Sequence, residues 1–171
     1  MNGPCRMTVA LFAAIAVTFA CPALAERSVV NVGIVIDGPV GPPSPERVRG
    51  LLATEFAELM RAEYDVRMPP DKITQSDGTV AGISGAISRL LEDDDVHLVI
   101  AAGPIASHLA ATWGPLPKPV IAPLVINPQV QGIPLDVDVS GVENLSYITF
   151  PSDVQKDLKT CTEVVPFKKA A

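Results

Sequence analysis

Apolar positions along the chain follow two rhythms. Ser28 to Ile36, SVVNVGIVI, is nearly continuous and ends on Asp37-Gly38. Such a run reads as a strand buried on both faces, as in a parallel sheet. From Pro45 to about Glu63, Val48, Leu51, Leu52, Phe56 and Leu59 recur every three to four residues, the stripe of an amphipathic helix. Ser44-Pro45 predicts its N-cap and first helical residue. Tyr64, Val66 and Met68 alternate over a short strand that Pro69-Pro70 stops. The segment DKITQSDG, 71–78, reads as a polar loop. A second helix is expected from about Thr79 to Glu92, on Val80, Ile83, Ile87, Leu90 and Leu91. Val96 to Ala102 predicts a third strand, and Gly103-Pro104 ends it and opens a third helix, IASHLAATW. Val120 to Ile126 predicts a fourth strand, with Pro123 at a bulge or at the strand end. A fifth strand is expected around Ser146 to Phe150. A last helix runs from about Ser152 to Val165, with Val154, Leu158, Cys161 and Val165 on one face.

Strand and helix alternate throughout, which predicts an α/β fold with a mainly parallel sheet of about five strands and helices on both faces. The 17 prolines are spread over the connections, and no internal repeat is present. A chain of 171 residues with 48% hydrophobic and 19% charged residues has enough apolar material for one packed domain.

The first 25 residues stand apart. Arg6 is followed by an uncharged, mostly apolar run from Met7 to Ala20, then by Ala23-Leu24-Ala25 before Glu26. That is the pattern of a secretory signal peptide, too short in its apolar part to span a bilayer. The domain therefore occupies 26–171 and is expected in the periplasm. Cys21 opens a second reading as a lipid-anchored protein, but Thr18 and Phe19 make a poor lipobox. Removing residues 1–25 removes one Arg and no acid, which leaves 12 basic against 19 acidic residues, a net charge of −7. An acidic exported domain argues against nucleic acid as a partner. The mature chain has no second apolar run long enough to be transmembrane. Cys161 is its one cysteine, so no internal disulfide forms, and the residue reads as a small buried apolar side chain of the last helix.

Candidate chemistry concentrates where the strands end. In an open parallel sheet, ligands bind outside the carboxyl ends of the strands. Asp37 and Gly38 follow the first strand, Gly103 and Pro104 the third, and Asn127 the fourth. The helix opening at Pro104 would offer free N–H groups to an anion, Gly103 close backbone approach, and Ser107 a hydroxyl. Each has a structural alternative: Asp37 as a turn cap, Gly103-Pro104 as a tight turn, Asn127 as a turn residue before Pro128. His97 and His108 lack a metal-ligand spacing. The acidic triplet Asp93-Asp94-Asp95 lacks the alternation and glycine of a calcium loop and reads as a solvated turn. GPVGPP lacks the third glycine of a dinucleotide loop. No nucleophile elbow, phosphate loop or zinc-protease motif occurs, so the sequence supports neither an enzyme nor a cofactor.

The stretches VGIVIDGP, DVHLVIAAGPIASHLA, KPVIAPLVI and GVENLSYITFPSDVQKDLKTCTEVVPFKK, taken together, resemble the first lobe of a type I periplasmic binding protein. Within that family they are most similar to the ABC-transporter substrate-binding group. The resemblance implies a flavodoxin-like (periplasmic-binding-protein-like I) three-layer αβα lobe with strand order 2-1-3-4-5. It also implies a small solute as ligand, held by the loops that hold Asp37, Gly38, Gly103, Pro104, Ser107 and Asn127. An ABC-transporter membrane component is the implied partner. Complete members carry a second lobe, so the chain is expected to be truncated, with Phe167-Lys168-Lys169 leading into the missing crossover. The alternative reading is a periplasmic sensor or interaction module associated with an outer-membrane efflux channel protein.

Overall fold

A computed structural model describes residues 27–38, 44–137, 139–149 and 154–164. The expected signal peptide, Cys21, the ends expected for the last helix and the Phe167-Lys168-Lys169 tail lie outside these residues.

Strand β1 (Ser28–Ile36) opens the sheet. Helix α1 (Pro45–Met60) follows, and the Ser44 Oγ accepts from the Arg47 N–H at its start, with Pro45 as its first residue, as the sequence predicts. Strand β2 (Tyr64–Arg67), a 3₁₀ turn (Pro70–Lys72) and strand β3 (Ile73–Gln75) come next. Then follow α2 (Val80–Glu92), β4 (Leu98–Ala102), α3 (Pro104–Ala111) and β5 (Val120–Val125). A small antiparallel ribbon, β6 (Leu135–Asp136) with β7 (Val139–Ser140), precedes β8 (Leu145–Thr149) and α4 (Val154–Val164).

The main sheet is parallel, in the order β2-β1-β4-β5-β8, and β3 joins the same edge of β1 that β2 occupies. Counted as rows, that is the predicted order 2-1-3-4-5, a flavodoxin-like three-layer arrangement. The segment expected as a loop at 71–78 is corrected here. Ile73, Thr74 and Gln75 pair with Ile34, Val35 and Ile36. Three residues are too few to show a period, and only the β-branched Ile73-Thr74 pair signals the strand. At Pro123 the β5–β8 register shifts between Ala122 and Val125, so the proline sits at a bulge, where its missing N–H leaves no gap in the ladder.

The connection β1 to β2 runs towards one edge, whereas β3 to β4 and β4 to β5 run towards the other. Right-handed crossovers therefore put α1 on one face and α2 and α3 on the opposite face. The α2/α3 face holds the larger core, with Ile83, Ile87, Leu90, Val99, Ala106, Ala110 and Val125 among its buried residues. The α1 face has the smaller core of Val32, Ile34, Met68 and Ile100. No residue of α1 is fully buried, and Leu51 and Leu59 of its predicted stripe are exposed.

The burial expected of Cys161 is not found: residues 156–164 are all exposed, Leu158 and Cys161 included. The Asp93-Asp94-Asp95 turn is tied down at Asp93 and Asp95, where the Asp95 carbonyl accepts from the Asn31 Nδ2 at 3.0 Å and the Asp95 N–H donates to the Asp93 Oδ1 at 3.0 Å. The Lys72 Nζ lies 2.6 Å from Asp93 Oδ2, and the Lys118 Nζ donates to the Asp93 and Val96 carbonyls at 2.6 and 2.8 Å.

Candidate functional site

The loops after β1, β3, β4 and β5 all open at the carboxyl edge of the sheet, because these strands are parallel. Asp37 organises this edge. The residue is 6% exposed, and its carboxylate sits on the N-terminus of α3, where Oδ2 accepts from the Ile105 N–H and Oδ1 from the Ala106 N–H, both at 2.7 Å. The helix brings no side-chain cap of its own, since its N-cap is Gly103. Asp37, 68 residues earlier, supplies it.

Gly103 is required by that contact. A Cβ at this position would lie 2.3 Å from the Asp37 Cγ. Pro104 is the exposed first residue of α3, where its missing N–H is not needed. Gly38 turns the chain at φ +22°, and a Cβ there would meet the Gly78 Cα at 2.7 Å, so the loops after β1 and β3 abut. The Gln75 Nε2 donates to the Gly38 carbonyl at 3.1 Å and closes the same junction.

Ser107 lies beneath this ledge. It is completely buried; its Oγ donates to the Ala101 carbonyl at 2.9 Å and accepts from the Leu124 N–H at 3.1 Å. The hydroxyl thus joins α3 to both β4 and β5, at the β5 bulge, and faces no open space. Asn127 belongs to a separate turn, where its Oδ1 accepts from the Val130 N–H at 2.9 Å. Gln131 closes that turn by accepting from the Ile126 and Asn127 N–H groups at 3.0 Å, and its Nε2 lies 3.4 Å from the His108 Nδ1 on α3. Of the six residues singled out in the sequence, Asp37, Gly38, Gly103 and Pro104 thus form one ledge, Ser107 supports it, and Asn127 stands one turn away.

The N-terminus of α2 adds a group the sequence reading passed over. The Asp77 Oδ1 accepts from the Thr79 N–H at 2.9 Å and the Thr79 hydroxyl at 2.7 Å, while the Thr79 Oγ1 accepts from the Gly82 N–H. The Thr79 bonds hold the Asp77 carboxyl below the usual carboxylate range. Asp at 77 followed by Thr at 79 is a capping signal in its own right.

The N-termini of α2 and α3 at this edge are therefore filled by carboxylates or hydroxyls of the chain itself. A free anion at α3 would meet the charge of Asp37 instead of open N–H groups. The exposed surface of the edge is apolar in good part, with Ile105, Ile126 and Val130 accessible. Among the described residues, no three His, Cys, Asp or Glu side chains are grouped so as to hold a metal, and no helix is long and apolar enough to cross a membrane. No family model matches the chain, and no curated protein or solved structure matches it.

Proposed function

We propose that the chain is an exported solute-binding lobe of an ABC-transporter substrate-binding protein, which holds a small solute against the carboxyl ends of its strands. One observation carries the reading: the Asp37 carboxylate seated on the Ile105 and Ala106 N–H groups. It locks the ends of β1 and β4 into a rigid ledge and gives that ledge a negative charge at its base. A solute resting there presents a neutral or cationic group towards the rim above the buried Asp37 and an apolar part to the exposed Ile105 and Ile126. The parallel order of the sheet and the resemblance to type I periplasmic binding proteins support the same reading. The membrane component of such a transporter is the partner it implies.

A thermal-shift screen of the mature chain against neutral, cationic and anionic amino acids, aromatic acids and sugars tests this. The expected result is a rise in Tm with a neutral or cationic class, abolished by Ile105→Asp on the exposed rim. No rise with any class, combined with specific capture of an outer-membrane channel protein, would transfer the assignment to the sensor or interaction module.

A further inference from the structure

Gln131 closes the turn after β5 with one arm of its amide and reaches α3 with the other. Its Oε1 accepts from the Ile126 and Asn127 N–H groups, each at 3.0 Å. A side-chain amide carries its acceptor and its donors on opposite arms, so these two backbone bonds fix which arm points where. The Nε2 is thereby turned to α3, 3.4 Å from the His108 Nδ1. An NH2 group only donates, so the Nδ1 accepts, and the ring proton of neutral His108 belongs on Nε2.

A second proton on the ring ends this arrangement. Protonated His108 carries N–H groups at both nitrogens and faces the Gln131 NH2 with a donor. Turning the Gln131 amide over gives no relief, because the NH2 would then meet the Ile126 and Asn127 N–H groups. Either His108 swings away or Gln131 leaves the turn. The rest of the turn is held within itself: the Gln131 N–H donates to the Asn127 carbonyl and the Ile133 N–H to the Pro128 carbonyl, both at 2.9 Å. His108 is half-buried, so water can deliver the proton.

The other titratable groups around α3 are few among the described residues. The helix packs against α2, β4, β5 and β8. Strands β4 and β5 carry none. Helix α2 brings Arg89, which donates to Thr74, and Glu92, which accepts from the Ser88 hydroxyl. Strand β8 brings Tyr147, packed on the larger core, and the β6–β7 ribbon brings the exposed Asp136. Asp37 stands at the start of α3 with both oxygens bonded to N–H groups.

We propose that His108 and Gln131 form a pH-sensitive latch, closed at neutral pH and opened by one proton, which holds the Ile126–Val130 turn at the carboxyl edge. Histidine is the side chain whose charge ordinarily changes in this range. The use of the latch rests on the solute-binding reading: Ile126 belongs to the exposed apolar rim, so acid loosens the surface on which a solute rests.

Amide hydrogen exchange in the mature chain, without any solute, tests the latch. Protection of the Ile126 and Asn127 amides, taken relative to the unfolded rate at each pH, is expected to fall about two- to tenfold between about pH 8 and pH 5, the factor of one net hydrogen bond. The Leu124 amide, bonded to the Ser107 hydroxyl, should keep its protection and so exclude a general loosening. His108→Asn places a side-chain oxygen near the position of Nδ1 at every pH, and Gln131→Glu offers an acceptor to a ring N–H. Each variant is expected to abolish the fall. Protection that does not change with pH in the parent, or an equal fall in either variant, would overturn the proposal. Because no solute is present, a pH-independent turn strikes the latch alone, whereas a thermal-shift screen without a hit strikes the solute-binding reading and leaves the latch standing.

Discussion

Asp37 and Gly103 are fitted to one another: the carboxylate of the first fills the space that a side chain on the second would need. A Cβ on residue 103 would stand 2.3 Å from the Asp37 Cγ, and Gly103 adopts φ +154°. Gly103→Ala must push the carboxylate off the Ile105 and Ala106 N–H groups. Asp37→Asn keeps the shape, but one of those groups loses its acceptor. Each variant is expected to lose about 1–3 kcal/mol of stability, the range for a helix cap or a buried donor left unpaired. Urea unfolding midpoints measure it. A Gly103→Ala protein as stable as the parent would show that the ledge is not held by this contact.

Ser107 offers a way to separate support from recognition. Its hydroxyl bridges the Ala101 carbonyl and the Leu124 N–H in a fully buried position. Ser107→Ala leaves both backbone groups without that partner and is expected to lower stability by about 1–3 kcal/mol. Solute affinity, measured well below the unfolding transition, should stay near that of the parent. A selective loss of affinity at unchanged stability would return Ser107 to the binding surface.

Much of this was legible in the pattern of apolar residues. The near-continuous runs at 28–36 and 98–102 mark central parallel strands, and Ser44-Pro45 marks the start of α1 with its cap. Asp37, Gly38, Gly103 and Pro104 were recognisable as strand-end residues. Their mutual arrangement was not, because a contact across 68 residues leaves no local signal. The sequence suggests an open N-terminus at α3, and only the fold reveals that Asp37 already fills it. Strand β3 and the β6–β7 ribbon escaped because two or three residues show no period. The amphipathic stripe of α4 is real in the sequence, but a stripe says only that a helix has an apolar side, not which surface it meets.

The Lys72–Asp93 pair links the end of α2 to the turn before β3, and it should make stability acid-sensitive. The bond from Lys72 is the main cause that holds the Asp93 carboxyl below its ordinary range, with a further bond from the Asp95 N–H. The same bond raises Lys72 above the usual lysine range. A lowered carboxyl contributes stability that is complete above its unfolded value, about pH 4, and is lost as pH falls through the folded one. The raised lysine contributes stability that is complete below about pH 10 and is lost as pH climbs through its folded value. The Tm advantage of the parent over Lys72→Gln should therefore be flat from about pH 5 to 9 and shrink below about pH 4. A difference that stays constant down to pH 2 would place the effect of Lys72 elsewhere.

Gly33 decides how closely α2 approaches β1. A Cβ there would lie 2.9 Å from the Leu90 Cδ1 and 3.2 Å from the Val96 Cγ1, both in fully buried side chains. Gly33→Ala therefore overpacks the larger core and is expected to destabilise by about 1–3 kcal/mol. Leu90→Ala alone opens a cavity and should lose about 2–5 kcal/mol. In the double variant the new methyl enters the space that Leu90 vacates, so the two losses should fall short of their sum by more than about 0.5 kcal/mol. Chemical denaturation of the four proteins in the cycle measures this coupling. Strict additivity would mean that the backbone at Gly33 shifts independently of α2, and that the close approach of helix to strand is not what keeps a glycine in the middle of β1.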